Sequence, residues 1–137
     1  MLAKIFTGFF ASTLIIFSMV VTATANNDGN WIGVVHEESE TEQCEIYIGA
    51  PIQAAARSGK LYGWAQIGHS WHKVSGRVTN AGHVTGAISS ANALDPETVP
   101  SAAPSALRFS MQIEGDLAQG SWSTPDGCNG RITAHRP

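Results

Sequence analysis

Tyr62, Trp64 and Trp71 form the densest aromatic group in the chain, and aromatic rings are the side chains best suited to hold a flat ligand face. Tyr62 and Trp64 are two positions apart, so on a strand they leave the same face. With Trp71 they offer a stacking platform for a sugar ring or an apolar ligand. The same large side chains also suit a hydrophobic core, and core is the first reading of them. A second group is acidic. Glu37, Glu38, Glu40 and Glu42 crowd together with Glu45 just beyond, five of the eleven carboxylates of the chain. Such a run keeps a loop hydrated, and it also offers a surface to a basic protein partner. It lacks the glycine turn that a calcium loop requires.

Five histidines raise the question of a metal site, with His69, His72 and His83 nearest in sequence. Strand geometry argues against it. If Val78 pairs with Val84, His83 falls opposite Thr79, about ten residues or roughly 33 Å along an extended strand from His69. His72 shares parity with Val74 and points to the other face, so these histidines are expected at the rim or in solvent. Gly68-His69-Ser70-Trp71-His72 has the outline of a nucleophile elbow, but the final Gly and the strand-to-helix context are missing. No two acids share a predicted inner face. The sequence therefore assigns no catalytic residue, no metal and no cofactor, and the chain is expected to be non-enzymatic.

Residues 1–25 read as a secretory signal peptide: Lys4 gives the positive start, an apolar stretch follows, and Ala23-Thr24-Ala25 fits the small-x-small cleavage rule. A secreted or periplasmic protein without a membrane anchor is expected, with residues 26–137 as a single domain. Removing Lys4 leaves seven Lys+Arg against eleven Asp+Glu, a net charge of about −4. No basic stripe suited to nucleic acid is apparent, and nucleic acid is not an expected partner. In an oxidising compartment the two cysteines, Cys44 and Cys128, are expected to form a disulfide.

Alternating patterns must position these residues. Leu107, Phe109, Met111 and Ile113 alternate with polar residues, Glu114-Gly115 reads as a two-residue turn, and Ile113 is expected opposite Asp116. That register sets Phe109 against Gly120 and Leu107 against Trp122. A pairing of Trp122 with Cys128 then puts Gly130, Ile132 and Ala134 on the same inner face. Residues 31–35, 44–48, 60–67, 71–78 and 84–88 supply further strands. Pro51 followed by residues 52–57 and Gly59 predicts a short helix that plugs a barrel end or crosses a sheet edge. Residues 89–105, with three prolines, read as a long mobile loop. The sum is an all-β fold, a small antiparallel up-and-down barrel or sandwich of about eight short strands.

Gly29-Asn30-Trp31 on the first strand, the run of about eight strands and an Arg at the end together resemble the calycin group, the lipocalin and avidin type of barrel. The resemblance implies that Trp31 packs at one barrel end with Arg136 or Arg131 over its ring. It also implies an interior able to hold a ligand. The long C-terminal helix of lipocalins and the biotin-holding residues of avidins are not recognisable, so no ligand identity carries over. The expected function is a binding module for an unknown small molecule in the barrel or a protein at the loop rim. The alternatives are an envelope structural or interaction protein without a pocket, and an inhibitor of a basic secreted protein. The ligand-binding candidates are Tyr62, Trp64 and Trp71, and the partner-binding candidates are Glu37, Glu38, Glu40 and Glu42.

Overall fold

The computed structural model describes residues 27–92 and 105–137. Eight antiparallel strands follow one another around a closed barrel: β1 (Gly29–Glu37), β2 (Pro51–Arg57), β3 (Lys60–Ile67), β4 (Ser70–Val78), β5 (His83–Asn92), β6 (Ser105–Glu114), β7 (Leu117–Ser123) and β8 (Asn129–His135). Pairing of β1 with β8 closes the ring, so among the described residues no strand is left with an unpaired edge. The predicted signal peptide and the middle of the predicted long loop lie outside the described residues. Residues 89–92 continue β5, and Ser105 begins β6.

Inner and outer faces follow the alternation read from the sequence. Trp31, Val35, Ile52, Val74, Ile88, Leu107, Phe109, Met111, Trp122 and Ile132 are buried and form one core. The register of the last three strands is displaced by two positions from the one expected. Ile113 pairs with Ala118, Phe109 with Trp122, and Trp122 with Gly130. An even displacement preserves every face. Between β6 and β7 its cause is Gly115, which takes a φ of 65° as the first of the two loop residues, a conformation that would strain Glu114. The glycine beneath the Phe109 ring is therefore Gly86 of β5, its partner across the other ladder.

Two elements differ from expectation. Residues 44–48 are not a strand: Glu42–Tyr47 is a 3-10 helix. Cys44 and Tyr47 are buried, three apart as such a helix requires, whereas Ile46 and Ile48 are 54% and 62% exposed. Residues 52–57 are not a helix but the body of β2, with Ile52 and Ala56 buried and Ala54 between them on the inner face. The alanine run favours helix locally, but the barrel needs a strand here, and Ala54 leaves space opposite the Trp31 indole. The short helix that occupies a barrel end is thus the one carrying Cys44. Cys44 is bonded to Cys128, with Cα atoms 5.6 Å apart, and closes a loop of 84 residues. Chain entropy sets the upper value of such a bond at about 4–5 kcal/mol.

Candidate functional site

The barrel interior leaves almost no room for a ligand. Its cavity is about 40 Å³, lined by apolar side chains including Trp31, Phe109, Met111 and Ile132. A pocket for a small organic molecule spans about 300 Å³ or more. Trp31 is 5% exposed, and its indole N–H is the one buried side-chain polar atom among the described residues without a hydrogen-bond partner.

One barrel end is sealed by the pair that the calycin resemblance implies. The Arg136 guanidinium carbon lies 4.5 Å from the Trp31 ring centroid. Arg136 Nη1 donates to the Asp28 carbonyl at 2.7 Å, and Nε faces Asp116 Oδ1 at 3.3 Å. Gly29 is required by this arrangement: its φ is 141°, and a Cβ there would stand 2.8 Å from Arg136 Nη1. The second Gly-x-Trp, at Gly120-Ser121-Trp122, has other partners. Trp122 Nε1 donates to the His36 carbonyl at 3.0 Å, and its ring lies 5.0 Å from that of Tyr47.

Tyr62, Trp64 and Trp71 are brought together, but outside the barrel. The reading of Tyr62 and Trp64 as core is overturned, since they are 49% and 38% exposed, while Trp71 on the same outer face is half-buried. Their parity puts them back to back with Leu61, Gly63, Ala65 and His72, which face inward. Cross-strand pairing gives Tyr62 opposite Ala55 and Ser75, Trp64 opposite Gln53 and Lys73, and Trp71 opposite Gln66. The Trp64 and Trp71 rings meet edge to face at 6.2 Å. An open groove of about 740 Å³ runs along this wall, lined among others by Asn30, Ile32, Gln53, Tyr62, Trp64 and Lys73.

The next outer row holds a feature that the sequence reading missed. Arg57 pairs with Lys60, and Lys60 with Arg77, which places three exposed cations side by side on adjacent strands. Residues 46–94 contain no Asp or Glu, yet carry four of the eight Lys and Arg residues. A short basic row does exist, contrary to expectation. It was hidden because its members are up to twenty positions apart, and only the β2–β3–β4 register assembles them. The absence of acids from this stretch was the signal in the sequence that pointed to it.

The acidic group divides by role. Glu37 Oε1 accepts hydrogen bonds from the Ser39 amide, the Ser39 hydroxyl and the Glu40 amide. The Ser39 hydroxyl bond above all, together with the two amide bonds, holds the Glu37 carboxyl below its ordinary pKa against an opposing desolvation effect. Glu37 thus shapes the loop, while Glu38, Glu40 and Glu42 are exposed. Tyr47 is shifted the other way. Burial first, and the Asp126 carboxylate second, raise its phenol above the ordinary value.

Among the described residues no group of three His, Cys, Asp or Glu side chains is arranged to hold a metal ion. His72 departs from the rim position expected of it: it is buried, and its Nδ1–H donates to the Ser89 carbonyl at 2.8 Å. The ladder is irregular at both His72 and Ser89, and the imidazole supplies that carbonyl with a donor. Comparison of the chain with family models, curated proteins and solved structures returned no match.

Proposed function

We propose that the protein is an exported, non-enzymatic binding module of calycin-like architecture, and that its ligand sits on the outer wall of β2–β4 rather than inside the barrel. One observation carries this reading: three aromatic rings lie on the outer face of neighbouring strands, Tyr62 and Trp64 exposed and Trp71 half-buried, outside the core. Hydrogen-bonding side chains stand opposite each ring, Ser75 beside Tyr62, Gln53 beside Trp64 and Gln66 beside Trp71. Rings that stack, interleaved with amides and a hydroxyl that pair with hydroxyl groups, suit a carbohydrate. The cavity of about 40 Å³ gives no support to an interior ligand.

The test is retention on a panel of insoluble and soluble polysaccharides, wild type against Trp64→Ala/Trp71→Ala. Binding by the wild type, with loss of about tenfold or more in the double variant, is expected, since stacking contributes on the order of 1 kcal/mol per ring. Equal retention by both proteins would remove the wall from consideration.

A second reading has its own observation. Ile46 and Ile48 are exposed beside Glu42 and Glu45 on the segment tethered by Cys44. An apolar and acidic rim of this kind suits a basic protein partner, in keeping with an inhibitor role. Capture of such a partner that is abolished by Glu38→Gln/Glu40→Gln/Glu42→Gln, and untouched by the Trp64/Trp71 double variant, would favour the rim over the wall.

A further inference from the structure

We infer that the glycan held by this wall is acidic, a polysaccharide whose sugar rings carry carboxylates, and that the Arg57–Lys60–Arg77 row reads those carboxylates. The inference rests on the wall being the binding site. Its independent support is the charge of that wall. Like charges directly opposite one another on neighbouring strands repel, and a sheet normally separates or pairs them. Here Arg57, Lys60 and Arg77 occupy one row across β2, β3 and β4, all exposed, within a stretch of residues 46–94 that contains no acid. A fourth cation, Lys73, stands opposite Trp64 inside the aromatic rows.

The geometry matches a sugar that offers both a ring face and a carboxylate. Outer residues two apart on a strand are about 6.7 Å apart, and neighbouring strands are about 4.8 Å apart. The cationic row therefore lies roughly one such step from Tyr62 and two from Trp64. A ring stacked on either aromatic places its carboxylate within reach of these long side chains. Two of the three are arginines, whose planar fork takes a carboxylate through paired N–H donors. Ten of the eleven acids of the chain lie in the 37–45 segment and at Asp95, Glu97, Glu114, Asp116 and Asp126. The eleventh, Asp28, accepts the Ser58 amide at 3.0 Å in the β2–β3 turn, one carboxylate beside a row of three cations, so the row keeps a positive balance in a protein whose formal net charge is −3.

Single-stranded nucleic acid also combines stacking with anionic charge, but it presents a phosphate at every nucleotide and calls for cations along the whole track. This wall has one cationic row, and beside it three rows of rings and hydrogen-bonding groups in which Lys73 is the single cation. An anionic membrane surface would be met by apolar side chains ringed with cations, without the interleaved amides of Gln53 and Gln66.

The experiment uses the exported protein with polygalacturonate and with the same polymer fully methyl-esterified, which keeps the rings and removes the charge. At low salt the wild type should bind the acidic polymer at least about tenfold more tightly, and added salt should erode the difference. Arg57→Gln/Lys60→Gln/Arg77→Gln should bind both polymers alike, at the wild-type level for the ester. Trp64→Ala/Trp71→Ala should weaken both. Equal wild-type affinity for the two polymers, or a preference that survives in the triple Gln variant, overturns the acidic-glycan inference while leaving the wall in place. Affinities untouched by the tryptophan variant overturn the wall itself. Tighter binding of oligodeoxythymidine or of phosphatidylglycerol vesicles than of polygalacturonate, or no binding of either polymer, also overturns the inference.

Discussion

Arg136 does three things with one guanidinium: it covers the Trp31 ring, donates to the Asp28 carbonyl, and faces the Asp116 carboxylate. These contacts bind the start of β1 to the β6–β7 turn. Replacing Arg136 by Gln removes the cation over the ring and the ion pair, and should destabilise the fold by about 1–2 kcal/mol. The melting temperature should fall by about 4 °C or more. Arg136→Lys should fall between, since an ammonium keeps the charge without the stacking plane or the fork. A Gln variant that melts with the wild type would mean that the contact contributes nothing. This pair was legible in the sequence because Gly29 and Trp31 sit in a recognisable spacing and few arginines follow. The burial of His72 was legible only as parity. Its partner is the Ser89 carbonyl at a ladder irregularity, and no residue type announces that carbonyl.

Among the elements, the segment from Glu37 to the 3-10 helix shows how a period can be misread. Cys44, Ile46 and Ile48 alternate as a strand would, yet burial selects Cys44 and Tyr47, because the disulfide and the Trp122 ring hold those two against the barrel. Residues 52–57 failed in the opposite sense, since alanines that favour a helix alone also fit a strand whose inner face meets an indole. The Glu37 turn that precedes the 3-10 helix yields a pH prediction. Its carboxyl has a lowered folded-state pKa, so the unfolded chain binds the proton first as acid is added. The stabilisation is present above the unfolded carboxylate range and is lost as pH falls through the folded value. Glu37→Gln should therefore melt below the wild type near neutral pH, with the gap closing in acid. Melting curves across that range check it, and a gap that stays constant with pH would show that the charged form is not what the turn selects.

At the scale of the whole molecule, the barrel separates two sets of aromatic residues that the sequence does not distinguish. All four tryptophans lie on strands and obey the same alternation. Pattern alone fixes which residues share a face, but it does not say which face is inside when a strand such as β3 carries Leu61, Gly63, Ala65 and Ile67 on one side and Tyr62 and Trp64 on the other. The larger side chains of β3 point outward because the small inner residues fit a narrow interior already filled by Trp31, Phe109 and Trp122. Energetics should follow this division. Truncating a buried Trp removes its contacts and leaves a void, so Trp31→Ala and Trp122→Ala should each cost about 3–5 kcal/mol. Trp64 and Trp71 cover only part of the outer wall, and their alanine variants should each cost less than about 1 kcal/mol. Urea denaturation of the four single variants measures both sets on one scale. A small cost at Trp64 and Trp71 means that two large rings are held in water without stabilising the fold, which is what a surface kept for a ligand requires. If either costs as much as Trp31, the wall is part of the structure's own support, and the case for a ligand there loses its footing.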